Sequence, residues 1–401
     1  MTYGIKEFMM KSVLHIISLW AICLACASCS QEDISQPVSI DGDGQVKILY
    51  KIAGTSLSRA TEDGWGDEDN NGTDEWHENI INHIDLFVFN SNNKTLFKHI
   101  ASSGNLNVDA KSMQTFTQNE LTYNDVTTGN YIYYMVANCE FDDNIVEGTF
   151  TLEDLKKKIT PKLTFNDKQT SFAMDGMIEN IPSPTDNTIT LSFKLERAAA
   201  KIRLSVFSAD GTTSIINDCQ YQLYNYVEKG TSVLAQSEGY GEQGRESMSS
   251  LENANLVYEN SKVVFYSYPN DWFDENKVSE YVDEDGKRNG TWVIDDYVNS
   301  TPVLSEKETY ILLKAPFEGK DYYYKVPVNY TIYKNNDAIS FTDEELKEIH
   351  DLYQMQRNHI YDITVTIDRE GGITEGEAKR PSLQYNVADY DEEEIDVPTF
   401  S

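Results

Sequence analysis

The 401-residue sequence has little cysteine, little basic charge and no long apolar run. It has five cysteines, and three of them, Cys23, Cys26 and Cys29, crowd near the N-terminus. The body keeps only Cys139 and Cys219, so no disulfide framework holds the fold. Spacing alone does not bring those two within the roughly 4.4–6.8 Å between Cα atoms that a bridge requires. Lys and Arg number 33 against 66 Asp and Glu, a formal net charge of −33. That balance argues against nucleic acid, whose phosphates call for a basic face, and against a polybasic membrane-surface binder. The six histidines show no i, i+4 pair of the helical zinc type. There is no Gly-x-Ser-x-Gly nucleophile elbow. Acids are so abundant that no carboxylate pair stands out as a glycosidase pair. No catalytic residue, metal site or cofactor is expected, and no periodic internal repeat is visible.

The N-terminus is more informative. Lys6 and Lys11 precede Ser12–Ala25, a mostly apolar run of fourteen residues. A helix crossing the hydrocarbon core needs about 20, so this run fits a secretory signal. It ends in Cys26-Ala27-Ser28-Cys29, and small residues directly before a cysteine resemble a lipobox. The resemblance implies cleavage before Cys29 and acylation of its thiol, with Cys26 as the alternative. The acidic Ser30-Gln31-Glu32-Asp33 that follows resembles a surface-export signal of Bacteroidota lipoproteins. Residues 1–28 are then the signal peptide, and residues 29–44 a Ser/Asp/Gly-rich tether.

The body reads as all-β. Val46, Ile48, Tyr50 and Ile52 alternate with Lys47 and Lys51, the period of a half-buried strand. Further strands are expected at Ile80–Phe89, Tyr131–Ala137, Thr188–Leu195, Ala200–Phe207, Lys262–Tyr268, Glu308–Lys314, Tyr322–Tyr333 and Ile360–Ile367. They are short, aromatic or β-branched, and separated by turn-rich stretches, which favours sandwiches over a parallel α/β sheet. Two short connector helices are expected. One, Thr151–Ile159, carries Leu152, Leu155 and Ile159 at helical spacing. The other, Thr342–Gln356, opens with a capping-box signature.

Two motif matches carry little weight. Gly239–Gly244 fits G-x-G-x-x-G but has neither the strand before it nor the amphipathic helix after it that dinucleotide binding requires. Asp67-x-Asp69-x-Asn71-Gly72, with Glu78 twelfth, fits the spacing of a calcium loop. Gly54, Gly64 and Gly66 break any preceding helix, so the better reading is an acidic surface loop.

Four stretches, in order along the chain, resemble the fimbrillin family of Bacteroidota (type V) pili. They are Gly129-Asn130-Tyr131 through Ala137-Asn138, Phe172–Gly176, Glu196–Ile202, and Arg357–Ile363. The resemblance implies two tandem transthyretin-like antiparallel β-sandwich domains, residues 45–194 and 195–380, followed by a donor segment at 381–401. It implies a structural pilus subunit, not an enzyme, that supports adhesion at the cell surface. It also implies an assembly route. The precursor reaches the outer membrane by its lipid, an arginine-specific protease cuts behind the first strand, and a strand from another pilus subunit fills the groove.

The residues this route needs are present. Val46, Ile48, Tyr50 and Ile52 form the strand to be displaced. Arg59-Ala60 supplies the cut, in a polar Gly/Asp/Asn-rich stretch at residues 54–79, and Arg59 is the only Lys or Arg between Lys51 and Lys94. The alternative is an ordinary surface arginine. In the C-terminal segment Leu383, Tyr385 and Val387 alternate, and Ile395 and Val397 do so again after the acidic Asp389–Glu394. The alternative there is a last strand of the chain's own sheet. Tip and anchor subunits are variants of the same reading. A surface glycan-binding lipoprotein of a polysaccharide-uptake system, its tyrosines stacking on sugars, is the alternative from another class.

Overall fold

A computed structural model of the chain describes residues 44–53, 76–141, 144–158, 160–179, 181, 183–185, 187–228, 244–253, 257–258, 262–272, 307–329, 354–379, 381–388 and 394–395. In the first half the strands are β1 (Gln45–Ile52), β2 (Ile80–Ile81), β3 (Ile84–Asn90), β4 (Leu96–Ala101), β5 (Val108–Asp109), β6 (Gln114–Thr115), β7 (Tyr131–Ala137), β8 (Met174–Ile178) and β9 (Thr188–Arg197). Then come β10 (Ala200–Ser208), β11 (Gln220–Tyr224), β12 (Glu252–Asn253), β13 (Val257–Tyr258), β14 (Lys262–Ser267) and β15 (Asn270–Asp271). The last are β16 (Tyr310–Phe317), β17 (Lys320–Pro327), β18 (Gln354–Met355), β19 (Ile360–Ile367), β20 (Ser382–Ala388) and β21 (Glu394–Ile395).

The first half is built on a seven-stranded sheet in the order β4-β3-β7-β8-β9-β1-β6. Only two register pairs, Met174↔Arg197 and Asp175↔Glu196, join β8 to β9. The two portions of the sheet on either side of that thin joint share one hydrophobic core, with Ile48, Tyr50, Leu191 and Phe193 from one and Leu86, Val88, Tyr134 and Val136 from the other. The second half packs a six-stranded sheet (β13-β14-β10-β19-β20-β21) against a four-stranded one (β12-β11-β16-β17). Ile202, Leu204, Phe265 and Ile363 of one sheet meet Leu223, Leu313, Tyr324 and Val326 of the other in a second core. The architecture is all-β and sandwich-like. Both large sheets are mixed rather than wholly antiparallel, because β1 runs parallel to β9 and β10 parallel to β19. A parallel pair needs a long crossover, and here the whole first half connects β1 to β9.

The two cores are continuous through β14. Its period-2 alternation sends Val263 and Phe265 into the second core and Val264 and Tyr266 into the first. Residues Gly44–Ser401 accordingly form one compact unit.

Local differences from the sequence reading have physical causes. The run Ile80–Phe89 splits into β2 and β3, because the Asn138 side chain accepts from the backbone of Asn82 at 2.8 Å and interrupts the ladder. The first connector helix is shorter than expected, Leu152–Lys156, capped by Thr151 and Asp154 in a capping box. A second helix, Tyr123–Thr128, uses the same device with Thr122 and Asp125. Of the helix expected at Thr342–Gln356, residues 342–353 lie outside the described residues. Its end is corrected: Gln354–Met355 is strand β18, paired with Asp271 and Asn270 of β15. Those pairings, with Met355 buried in the second core, outweigh the local helical pattern.

Candidate functional site

The seat of β1 is the feature with most capacity for function. Along β9 the strand is paired over its full length, from Gln45↔Thr188 to Ile52↔Leu195. Backbone bonds extend the ladder at both ends, Gln45 N to Asn187 O and Ala53 N to Leu195 O, each 2.7 Å. On the other side contact is brief: Leu49↔Thr115 and Tyr50↔Gln114 of β6, flanked by Ile52 N to Ala110 O at 3.1 Å and Phe116 N to Ile48 O at 2.9 Å. The alternation read from the sequence is the one observed. Ile48, Tyr50 and Ile52 are buried, Val46 packs partly against the core, and Lys47 and Lys51 stay half-exposed. Burying each such side chain stabilises by about 1.5–3 kcal/mol. Withdrawing β1 would uncover an eight-residue edge of β9 and a slot into the first core. An uncovered edge of that kind is a template for another strand.

At its C-terminal end β1 runs into a buried polar junction. Arg197, the last residue of β9, is fully buried. Its Nε donates to the Glu78 carbonyl at 2.9 Å, Nη2 to Asn79 Oδ1, and Nη1 to Asn358 Oδ1 at 3.0 Å and to the Ala53 carbonyl at 3.5 Å. Lys201 Nζ lies 2.9 and 3.1 Å from the two oxygens of the Glu78 carboxylate, which also accepts from the Tyr266 hydroxyl. Arg357 pairs with Asp175 and donates through Nε to the Arg197 carbonyl at 3.1 Å. Asp175 also accepts from the Tyr134 hydroxyl. Burial pushes the Asp175 carboxyl up to about 6 even though Arg357 opposes the shift. Charges this deep persist only when paired and hydrogen-bonded, and the junction supplies a partner for each of these.

Three of the four motif stretches meet here: Asp175 from Phe172–Gly176, Arg197 and Lys201 from Glu196–Ile202, and Arg357 and Asn358 from Arg357–Ile363. Gly176 is required because a Cβ there would collide with the Lys194 carbonyl of β9. In the fourth stretch Asn138 takes a left-handed backbone (φ 59°), and its Nδ2 donates to the carbonyls of Ile80 at 2.9 Å and Phe172 at 2.7 Å. Asp175, Arg197, Lys201, Arg357 and Asn358 tie the first half of the chain to the second, while Gly176 and Asn138 fix contacts within the first.

The sequence-derived site residues fall as follows. Cys29, Arg59, Ala60 and Val397 lie outside the described residues. Leu383, Tyr385 and Val387 are in β20, opposite Val365, Ile363 and Tyr361 of the same chain's β19. Ile395 pairs with Val387 from β21. Strands β20 and β21 thus lie in the chain's own sheet, the alternative left open by the sequence. The surface-loop reading of Asp67–Glu78 is corrected at Glu78. That residue is fully buried and bound to Lys201, so its carboxylate is not available to close a calcium shell. Asp67, Asp69 and Asn71 lie outside the described residues, as do Gly239–Gln243 of the glycine motif. Among the described residues no group of three His, Cys, Asp or Glu could hold a metal ion.

Two features had no sequence signal. His83 and His99 approach the two oxygens of the buried Asp85 carboxylate, each from 2.7 Å, and His99 stacks on Phe87. Cys139 and Cys219 are buried, free, and in different cores. Burial pushes both thiols up to about 12, which makes them unreactive.

Residues 55–214 match the family described as Major fimbrial subunit protein (FimA). Two curated proteins of Porphyromonas gingivalis, both called Major fimbrium tip subunit FimD, are 24% identical over 255 residues, 60% of this chain. The match covers 30% of the length of those relatives. Among solved structures, a fimbrillin (FimA) of Porphyromonas gingivalis is 13% identical with a TM-score of 0.45, covering 86% of this chain and 97% of that one. The C-terminally truncated tip fimbrial protein Mfa3 of the same species is 11% identical with a TM-score of 0.44, covering 86% and 99%. A fimbrial assembly protein of Parabacteroides distasonis is 10% identical with a TM-score of 0.41, covering 87% and 97%.

Proposed function

We propose, from the match of residues 55–214 to the family described as Major fimbrial subunit protein (FimA), that the chain is a structural subunit of a cell-surface pilus that supports adhesion. It has two β-sandwich domains, residues 45–194 and 195–380. It travels to the outer membrane as a lipoprotein acylated on Cys29 and is cut between Arg59 and Ala60 by an arginine-specific protease. It then polymerises with other pilus subunits, chiefly copies of itself, when a neighbour's C-terminal segment takes the place of β1.

The observation that carries this reading is the asymmetric seat of β1: a full ladder to β9, a two-pair contact to β6, and three buried inward side chains. Removing a strand so placed would leave a slot along β9 into the first core. Treating the purified precursor with an arginine-specific protease and sequencing the new N-terminus tests the cut; the expected product begins at Ala60. An intact chain, or a product beginning elsewhere, sinks the maturation step. Deleting residues 383–401 is expected to abolish polymers, read by native gel and electron microscopy.

A tip position is the second reading. The seating of β20 on the chain's own β19 favours it, since a tip subunit has no neighbour to receive its tail. It predicts that the protein caps fibres and does not extend them.

A further inference from the structure

We propose that residues Leu383–Ala388 of a second copy enter the vacated seat in the direction of β1, parallel to β9, in a single register that puts Tyr385 where Tyr50 was. This rests on the reading of β1 as the displaced strand and adds the direction, the register and the subsites. The starting observation is a likeness inside the chain itself. Ile48-Leu49-Tyr50-Lys51-Ile52-Ala53 and Leu383-Gln384-Tyr385-Asn386-Val387-Ala388 share one pattern: aliphatic, tyrosine and aliphatic at alternate positions, then alanine.

The seat selects for that pattern. Ile48, Tyr50, Ile52 and Ala53 are exposed by 1%, 2%, 0% and 2%, so the seat offers one large position between two aliphatic ones and a tight place at the end. A slip of one residue would send Leu383, Tyr385 and Val387 to the outer face and bring Gln384 and Asn386 into the core. A slip of two would press the tyrosine ring into an aliphatic position and leave the Tyr50 position underfilled, and both changes are destabilising.

Direction is decided at the ends, because Leu-x-Tyr-x-Val reads alike both ways. Entering parallel to β9, Ala388 replaces Ala53. Its N–H then meets the Leu195 carbonyl that Ala53 N meets at 2.7 Å, and its carbonyl meets Arg197 Nη1, which Ala53 O approaches at 3.5 Å. Pro381, which has no N–H, falls at the start of the strand in the place of Val46, where proline is tolerated. Entering reversed, Ser382 and Pro381 would meet the Arg197 end, and Ala388 would lie in the place of Lys47.

Cysteine pairs on the outer face separate these arrangements. Ser192 and Lys194 of β9 are exposed, so cysteine there leaves the core intact, and Cys139 and Cys219 are buried. In the proposed register residue 384 lies opposite 192 and residue 386 opposite 194, about 5 Å apart; the crossed pairs are about 8 Å apart, too far to bridge. Full-length chains carrying S192C/Q384C, K194C/N386C, S192C/N386C or K194C/Q384C are cut with the arginine-specific protease, polymerised, oxidised and run on non-reducing gels. The expected result is a covalent ladder from the first two and only monomer from the last two. A ladder from the last two alone overturns the direction. Polymers with no ladder from any pair overturn the register. In both cases the donor reading still stands if deletion of residues 381–401 stops polymerisation. Undiminished polymerisation of the deletion instead removes the donor reading itself.

Discussion

Arg197 spreads its donors over both stems of the segment between β1 and β2: Ala53 on one side, Glu78 and Asn79 on the other, with Asn358 of the second half completing the set. Taking the guanidinium away strands buried acceptors, so Arg197→Met is expected to lower unfolding free energy by about 3–5 kcal/mol in urea titration. Arg197→Lys should recover little, because a single ammonium cannot reproduce a planar fork of donors. At Asp175 the folded state holds a proton more tightly than the unfolded chain, about 6 against the ordinary 3.8. Stability from this group is therefore fully present below pH 3.8 and is lost as pH rises through 6. The advantage of the native protein over Asp175→Asn should shrink by roughly 2 kcal/mol between pH 4 and pH 7, measured by denaturation at each pH. A constant difference would mean that Asp175 titrates normally.

At the scale of the element, β1 is held by side chains on one face and by hydrogen bonds on one edge. In the uncut chain Ile48→Ala should cost about 2–5 kcal/mol, while the half-buried Leu49→Ala should cost under about 1 kcal/mol. If β1 is exchanged for a neighbour's strand as proposed, neither substitution should alter the heat resistance of the polymer, which gel dissociation temperature reads directly. Strand β20 would have a comparable double life on the proposed route. Its period-2 pattern suits any sheet that offers an apolar face, and the chain's own β19 is one. On the proposed route, polymerisation asks the segment to leave one edge for another.

Across the whole molecule, β14 and the Arg197 junction make two cores into one unit. A consequence is that neither thiol opens to solvent without the fold giving way. A chain beginning at Ser30 should show no reaction with a thiol reagent in native buffer and two equivalents in denaturant, with both cysteines reacting at a single denaturant midpoint. Reaction of one cysteine well before the other would show that the halves unfold separately.

Much of this was legible in the sequence, and for a reason. Strand identity is set by neighbours two residues apart, so the alternation of Val46 through Ile52 marks a strand observed from Gln45, and the runs at Tyr131–Ala137 and Ile360–Ile367 mark strands at the bounds observed. Scarce cysteine and excess acid are compositional and needed no structure. What the tertiary structure decided are relations between residues far apart in the chain. They include the parallel pairing of β1 with β9, the burial of Glu78 against Lys201, and the gathering of Asp175, Arg197 and Arg357 into one junction. Pairing direction and burial depend on which distant segment packs alongside, a free-energy balance over the whole core that no local pattern contains.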